Sequence, residues 1–344
     1  MTADVALSPD GLTLVSGRNG HGKTNLLEAV GWLATLASFR GAPNDALVRA
    51  GAELAVVRGL GHREGRELLL EGSIPLVGRV RAQVNRQPLR RARDLLGALR
   101  VTVFSPDDLA LVKEGPAGRR TYLDDLLVSC HPRWEAVRAD VDRVLRQRAT
   151  LLKQAGGRLT PEVALTLDVW DAQLATHGTA LGDARAGLAA GLEPQVAAAY
   201  ASLAGAPVAV SLSYLAPWRA AGLGAALAAA RADDVKRGVS TVGPHRDDLV
   251  LHISGLPART HASQGEQRTL ALALRLGGHA VVQAAVGEPP VLLLDDVFSE
   301  LDDQRAAALV AHLPAGQALV TTAGTVPPGV TPASRLYVEA GSVS

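Results

Sequence analysis

Short hydrophobic runs alternate with turns at both ends of the chain, whereas the middle carries hydrophobic residues at helical spacing. Apolar and β-branched runs between turn residues are typical of strands. Recurrence every three to four positions is typical of helices. The predicted strands are Leu12–Ser16, Val56–Gly59, Glu67–Glu71, Arg79–Val84, Val101–Phe104, Leu249–Ile253, Val291–Leu294 and Ala318–Thr322. Three helices are predicted among these strands. One covers Lys23–Ala37, and the other two begin at Gly265 and at Asp302.

The central part of the chain is predicted to be helical. Apolar residues recur at three-to-four spacing between Pro116 and Gln154, which places them on one helical face. Thr160-Pro161 marks a new helix start, because Pro fits the first helical turn. Alanine-rich sequence continues that helix to about Tyr200, and a further helical piece covers Ala220–Ala232.

These patterns together predict an α/β fold, with one lobe formed by residues 1–115 and 236–344 and a helical lobe inserted over residues 116–235. A chain of 344 residues is long enough for such a division. Its net charge is only +1, so a nucleic-acid surface would have to be a local patch.

Composition also bears on the cellular location. The single cysteine, Cys130, excludes an internal disulfide and favours a reducing cytosol. Apolar tracts are interrupted short of the ~20 residues that cross a membrane, and the first residues lack the features of a signal peptide. We therefore expect a cytoplasmic protein with no membrane partner.

A phosphate-binding loop is the strongest chemical signal. Residues 17–24 read G-R-N-G-H-G-K-T and match G-x-x-x-x-G-K-[ST] in full. Its glycines let backbone N–H groups surround phosphate oxygens, and the following helix directs its positive end there. We expect Lys23 to contact the β- and γ-phosphates of ATP and the Thr24 hydroxyl to hold Mg²⁺. The predicted nucleotide contacts are Gly17, Arg18, Asn19, Gly20, His21, Gly22, Lys23, Thr24 and Asn25.

A second motif places two carboxylates at the end of an apolar strand. Val291–Leu294 is followed directly by Asp295 and Asp296. In folds of this class a strand delivers a Mg²⁺ ligand beside the phosphate loop, and Asp295 is the predicted ligand. Asp296 is then placed to orient or deprotonate the attacking water. Alone, the motif would fit an ordinary core strand equally well.

A third motif opens the helix that precedes this strand. Ser263 and Glu266 form the S-x-x-E capping box of ordinary helices. A Ser with Gly265 at a helix start also makes an anion site, and the position fits the signature motif of ABC ATPases, which contacts the γ-phosphate bound by the other subunit. Both interpretations can hold together.

Two further segments complete the ABC order. Ser299–Asp302 stands where such enzymes have the D-loop, which crosses the dimer interface. Thr321-Thr322 ends the next predicted strand, where many of them have a switch histidine. We expect the Thr322 hydroxyl to sense the γ-phosphate instead.

The motifs in this order resemble the RecF family, whose members are related to the heads of SMC proteins. The resemblance covers nearly the whole chain, and its most distinctive parts are the two segments Gly243–Leu249 and Leu292–Asp302. The other matching segments are Lys23–Ala29, Ser38–Arg40, Phe104–Leu109, Arg119–Asp124, Leu145–Arg148, Leu151–Lys153 and Leu167–Asp171.

The resemblance implies an ABC-type P-loop ATPase head with a mixed-sheet lobe and a helical insertion lobe. It also implies a protein that dimerises on ATP, hydrolyses it slowly with stimulation by DNA, and binds double-stranded DNA near single-strand gaps. Such proteins act with RecR and RecO to support RecA loading in recombinational repair and the SOS response. Family members usually open with a strand containing Arg-Asn-Phe/Tyr-Arg, which is not found here. Either this strand is missing, which puts a sheet edge and some base contacts in doubt, or the start of the chain is misassigned.

Two groups of basic residues are candidates for DNA contact. One run has no acid before Asp94 and consists of Arg79, Arg81, Arg86, Arg90, Arg91 and Arg93. The other lies on the helical segment and consists of Arg138, Arg143, Arg146, Arg148 and Lys153. Several phosphate contacts suffice for non-specific DNA binding. The same sequence pattern also fits an ordinary solvated surface on which Asp140 and Asp142 pair with some of the helical arginines. The scarcity of aromatic residues favours duplex backbone contact over base stacking.

Two other functions fit parts of the pattern. The ATPase subunit of a membrane transporter is the alternative, although its helical insertion is normally shorter. A structural SMC-like head would need long heptad repeats, and the sequence has none. His21, His245 and His261 lack metal-ligand spacing and are expected to be turn or hydrogen-bonding residues.

Overall fold

The computed structural model describes residues 2–63, 65–324 and 326–344. Its strands are β1 (Gly11–Ser16), β2 (Leu54–Arg63), β3 (Arg66–Pro75), β4 (Arg81–Val84), β5 (Gln87–Pro88), β6 (Val101–Phe104), β7 (Val210–Leu215), β8 (Asp248–Ile253), β9 (Leu256–Pro257), β10 (Val291–Leu294), β11 (Gln317–Thr322), β12 (Ser334–Glu339) and β13 (Ser342–Val343). Its helices are α1 (Lys23–Thr35), α2 (Ala110–Lys113), α3 (Pro116–Cys130), α4 (Trp134–Gln154), α5 (Pro161–Ala204), α6 (Leu223–Arg237), α7 (Ala258–His261), α8 (Gln264–Val286) and α9 (Asp303–Ala311).

The chain folds into two compact units, each assembled from separate segments. The first unit consists of Met1–Leu109, Gln195–Val208 and Ser263–Ser344, and the second of Ala110–Pro194 and Ala209–Ala262. A discontinuous α/β lobe with a mostly helical insertion was predicted, and the fold class is confirmed. The boundaries differ from the predicted ones at residues 115/116 and 235/236. The β8–β9 hairpin and α7 belong to the helical unit, whereas the last turns of α5 belong to the α/β unit.

A six-stranded sheet organises the first unit, in the order β13-β12-β1-β11-β10-β6. All its pairs are parallel except β12–β13, so β1, β10 and β11 end at the same edge of the sheet. Ligands of open parallel sheets bind at that carboxyl edge. Residues 12–15 of β1 are buried without alternation, as expected for a strand covered on both faces.

A second sheet of the first unit packs on α1. Strands β2, β3, β4 and β5 form an antiparallel meander. The first three were predicted as meander strands, although β2 and β3 extend beyond the predicted ranges, and β5 was not predicted. Gly72 lets the Trp32 ring approach, because a Cβ there would lie 2.3 Å from it. Trp32 is 1% exposed and ties the phosphate-loop helix to this sheet.

The second unit is built on the helices α3 to α6. Its core includes Val144, Leu174, Leu181 and Leu227. The stretch from Pro116 to Gln154, which was predicted to be helical, consists of the two helices α3 and α4 and a short break between them. The break after α3 lies at residues 131–133 and contains Pro132, whose missing N–H cannot continue a helix.

Helix α8 is long and apolar enough to cross a membrane by length and composition alone. Most of its apolar stretch is buried within the protein. Its residues Leu270, Leu272 and Leu274 are at most 1% exposed, so its apolarity is accounted for by packing in the core.

Candidate nucleotide-binding site

The phosphate loop joins β1 to α1 at the carboxyl edge of the six-stranded sheet. Gly17 has a φ of +150°, and a Cβ there would lie 2.2 Å from the Val338 carbonyl oxygen of β12. Gly22 has a φ of 105° and stands immediately before α1 without a side-chain cap. These two positions therefore require glycine, one for close backbone approach and one for a left-handed turn.

Lys23 is the first residue of α1 and is only 7% exposed. Its Nζ donates hydrogen bonds to the carbonyl oxygens of Gly17 at 2.9 Å and Arg18 at 3.1 Å. The ammonium group therefore sits inside the curled loop, beside backbone N–H groups suited to phosphate.

Asp295 lies at the meeting point of three strands and the loop. Its Oδ1 accepts hydrogen bonds from the Thr24 hydroxyl at 3.0 Å and from the Thr321 hydroxyl at 2.7 Å. Its backbone N–H donates to the Phe104 carbonyl oxygen of β6 at 2.8 Å. The side chain is 7% exposed. The predicted juxtaposition of Thr24 and Asp295 is thus present.

Thr321 was not among the predicted site residues. Leu294 pairs with Val320, so the next residue of each strand, Asp295 and Thr321, are neighbours. Thr321 is fully buried and also accepts a hydrogen bond from the Asp296 N–H at 2.8 Å. A sequence signal existed, since the predicted strand over residues 318–322 ends in two threonines, but strand register is needed to choose between them.

Thr322, the predicted sensor, is placed differently. Its hydroxyl forms hydrogen bonds with the backbone of Gly324, accepting from N–H at 3.2 Å and donating to the carbonyl at 3.4 Å. Its side chain is 3% exposed. The hydroxyl held at Asp295 is that of its neighbour Thr321.

Asp296 has a left-handed backbone, with φ 48°. This turn directs the chain out of β10, and within the described part of the chain no hydrogen bond engages the Asp296 carboxylate. The Asp296 side chain is therefore available beside Asp295.

The remaining loop residues are more open. Arg18, Asn19, Gly20 and Asn25 are exposed. The backbone carbonyl of His21 accepts a hydrogen bond from the Gly341 N–H at 3.0 Å, so His21 is a turn residue, as predicted. The loop is consequently fixed from one side and exposed on the other.

The start of α8 has the predicted capping box. The Ser263 hydroxyl accepts from the Glu266 N–H at 3.3 Å, and the Glu266 carboxylate accepts from the Ser263 N–H at 2.7 Å. These hydrogen bonds lower the pKa of Glu266, which keeps it ionised as a cap. The atoms nearest to the position that a Cβ on Gly265 would take belong to the guanidinium of Arg305.

The oxygen atoms of Thr24 and Asp295 fit Mg²⁺. This ion prefers one or two protein oxygens and takes its other ligands from phosphate and water. In the described residues no group of three His, Cys, Asp or Glu side chains forms a self-sufficient metal site. The donor set therefore suits an ion that arrives with a nucleotide.

In the second unit the two family-like segments around Arg119 and Asp247 form a buried ionic network. Arg119 makes two hydrogen bonds with Asp248, at 2.8 and 2.9 Å. Arg185 binds Asp124 through two hydrogen bonds of 2.7 and 2.8 Å. Asp247 is fully buried. These ion pairs stabilise the second unit.

The helical group of basic DNA candidates needs a correction. Arg148 is fully buried and binds Asp171 at 2.7 Å and Asp234 at 2.8 Å, so it cannot contact DNA. Arg143 pairs with Asp140 at 3.1 Å, one of the two acids expected to do so. Burial of an arginine requires such partners. Arg148 therefore leaves the group, whereas Arg143, Arg146 and Lys153 are exposed.

The other basic group is surface-exposed. All six arginines between Arg79 and Arg93 are exposed, and among the described residues only Arg91 has an ion pair, with Asp94 at 3.9 Å. The group lies in and on either side of the segment that forms strands β4 and β5 of the antiparallel sheet. Its positive charge is available to a partner.

A phosphate loop, an acidic strand end and a capped signature-like helix on one mixed sheet define a P-loop ATPase head of the ABC type. No protein-family model matches the chain. It is 50% identical over 362 residues to the DNA replication and repair protein RecF of Frankia alni, covering 99% of this chain and 94% of that relative. The chain belongs to the RecF family of DNA replication and repair proteins.

Further comparisons agree. RecF of Kineococcus radiotolerans is 46% identical, with 97% of this chain and 92% of that relative covered. A solved structure of the recombination mediator protein RecF with ATP, from the RecFOR pathway, has a TM-score of 0.88 at 30% identity and covers 97% of this chain and 91% of that one. An SMC head from Pyrococcus furiosus has a TM-score of 0.56 at 16% identity, which shows the fold alone.

Proposed function

We propose that the chain binds ATP at the phosphate loop and dimerises on it, so that the start of α8 in each copy covers the nucleotide held by the other. The convergence of the Thr24 hydroxyl and the Asp295 carboxylate, 3.0 Å apart, carries this proposal. In a solved relative the nucleotide is ATP, and the loop and strand end described above are the parts that an ATPase of this class needs.

Each residue has a distinct role in the proposed reaction. Lys23 exchanges its bonds to the Gly17 and Arg18 carbonyls for contacts to the β- and γ-phosphates. Thr24 and Asp295 hold Mg²⁺, which supplies charge neutralisation at the phosphates. Asp296 orients the attacking water, and the short reach of an aspartate is compatible with slow turnover. Ser263 and the α8 N–H groups contact the terminal phosphate from the partner copy.

The proposed biological role is repair of gapped DNA in the cytoplasm. The ATP-bound dimer binds double-stranded DNA near single-strand gaps, hydrolysis is stimulated by DNA, and the protein acts with RecR and RecO to support RecA loading and the SOS response. Membership of a repair family supports this role, as does the RecFOR context of the solved relative. No structural observation favours the transporter alternative.

The exposed arginines supply the DNA contact in this proposal. Replacing Arg81, Arg86 and Arg90 with Gln should weaken binding of gapped duplex, because each lost phosphate contact removes a counterion-release term. We expect the slope of log affinity against log salt concentration to become shallower by up to about 3. DNA stimulation of ATP turnover should fall with affinity.

The experiment compares fluorescence anisotropy and ATP turnover at two salt concentrations, with and without gapped duplex. A control protein carries Gln at three exposed arginines outside this sheet, namely Arg133, Arg158 and Arg335. If the slope of log affinity against log salt concentration were the same in the two variants, the DNA contact would have to lie outside these arginines. If gapped duplex did not stimulate ATP turnover by the wild-type protein, the proposed function as a DNA-repair ATPase would be contradicted.

A further inference from the structure

A small cavity adjoins the start of α8 in the first unit. It has a volume of about 280 Å³ and lies between the first turns of α8 and the segment that leads into α9. Its lining residues are Gly265, Arg268, Ser299, Leu301, Asp302 and Arg305. The cavity thus joins the signature-like helix start to the D-loop-like segment.

The charges at this cavity favour an anion. Arg268 and Arg305 are basic residues of this lining, and among its described residues Asp302 is the one acid. The carboxylate of Glu266, in the first turn of α8, is occupied by the Ser263 cap at 2.7 Å. The positive end of α8 adds to the arginine charge.

Arg305 is held by a carboxylate that a phosphate could replace. Its guanidinium binds the Asp302 side chain, and its Nη1 lies 3.6 Å from where a Cβ on Gly265 would be. Its Nε is buried and has no hydrogen-bond partner in the described residues. Asp302 meanwhile accepts the Arg305 N–H at 2.8 Å as the cap of α9, and these bonds lower its pKa, so it stays ionised.

We propose that Arg305 is a second phosphate-recognising side chain of the signature half-site, and that it leaves Asp302 to bind the terminal phosphate of ATP held by the partner copy. Phosphate oxygens take a guanidinium in the same forked geometry as a carboxylate, with more charge. The exchange frees the Asp302 carboxylate at the D-loop when nucleotide arrives, which couples this loop to the nucleotide state. The inference rests on the proposed ATP-dependent dimer.

The test titrates ATP against dimer formation by light scattering. Arg305→Gln should raise the ATP concentration for half-dimerisation about tenfold, as for loss of one charged hydrogen bond, whereas ATP binding by the monomer stays unchanged. Arg305→Lys should have a smaller effect, because lysine keeps the charge without the fork. Asp302→Asn should lower the required ATP concentration, since Asn still caps α9 but no longer competes for Arg305.

Arg158→Gln, at an exposed position of the second unit, is the matched control, and circular dichroism checks folding of each variant. Opposite shifts for the Arg305 and Asp302 variants support the proposal. Wild-type behaviour of Arg305→Gln overturns it, and so do equal increases for both variants, which would indicate a structural brace. If the wild-type protein forms no dimer with ATP, the proposed function itself fails, and this inference fails with it.

Discussion

At the scale of single residues, Asp295 is the centre of the candidate nucleotide site. Two hydroxyls from different elements, Thr24 and Thr321, donate to the same carboxylate oxygen. A buried carboxylate needs such donors. We expect the Thr24 hydroxyl to exchange its hydrogen bond with Asp295 for Mg²⁺ when the nucleotide binds. The hydrogen bond from Thr321 would then be the one that still orients Asp295.

Thr321→Val should therefore impair hydrolysis more than binding. The valine fills the same space but cannot donate to Asp295 or accept from the Asp296 N–H. We expect ATP turnover to fall about tenfold or more, as for loss of a buried hydrogen bond to a charged group, with a much smaller change in ATP affinity. Single-turnover kinetics and nucleotide titration measure the two separately.

Thr321→Ser is the matched control, because it restores the hydroxyl without the methyl group. Turnover near the wild-type rate in the serine variant would assign the loss to the hydrogen bond. Wild-type turnover in the valine variant would show that Thr321 does not position Asp295.

The site was largely predictable at this scale where a local pattern carried it. Residues 17–24 and Asp295 follow from short motifs whose chemistry depends on adjacent residues. Thr321 depends on strand register, and the burial of Arg148 depends on acids far along the chain, Asp171 and Asp234. Spacing along one helix cannot reveal such partners.

At the scale of elements, α8 connects the signature-like start to the core of the first unit. His279 lies on this helix, 1% exposed, and its Nδ1 is 3.2 Å from the Thr102 hydroxyl of β6. Burial lowers the pKa of His279 from 6.5 to about 4. The helix is therefore packed around a neutral imidazole.

This burial predicts acid sensitivity. Between pH 6.5 and 4 the His279 imidazole is protonated in the unfolded chain but neutral in the folded chain. The free energy of unfolding should therefore fall as the pH decreases through that window. The loss is at most about 3 kcal/mol and is absent above pH 6.5. Urea unfolding of wild type and His279→Gln at pH 7 and pH 4.5 measures it.

The exposed His62 provides the control, since His62→Gln should keep the wild-type pH dependence. His279→Gln should lose only its own share of the difference between the two pH values, because burial also lowers the pKa of His245 to about 4. An unchanged difference in that variant would show that His279 is protonated in the folded protein.

Elements with strong periodicity were predicted well, and those without it were missed. The apolar run of β10 and the capped start of α8 are local signals. Strands β7 and β12 were not predicted: exposed positions interrupt their burial, and sheet pairing with distant residues stabilises them. The break at Pro132 could have been predicted from the proline alone.

At the scale of the whole molecule, the central claim concerns two copies. The site of one chain contains the loop, Lys23, Asp295 and Asp296, whereas Ser263 is assigned to the nucleotide of the other copy. Each dimer would then hold two composite sites, as a two-fold symmetric interface requires. A single chain is incomplete for hydrolysis in this account.

Mixing two inactive variants tests this claim most directly. Lys23→Ala removes the loop lysine and Ser263→Arg blocks the signature, so each protein alone should lack ATP turnover. In a mixed dimer one site has both Lys23 and Ser263 intact, and an equimolar mixture should recover about a quarter of the wild-type turnover if pairing is random. A mixture of folded variants that stays inactive, or full turnover by Ser263→Arg alone, would contradict the composite site.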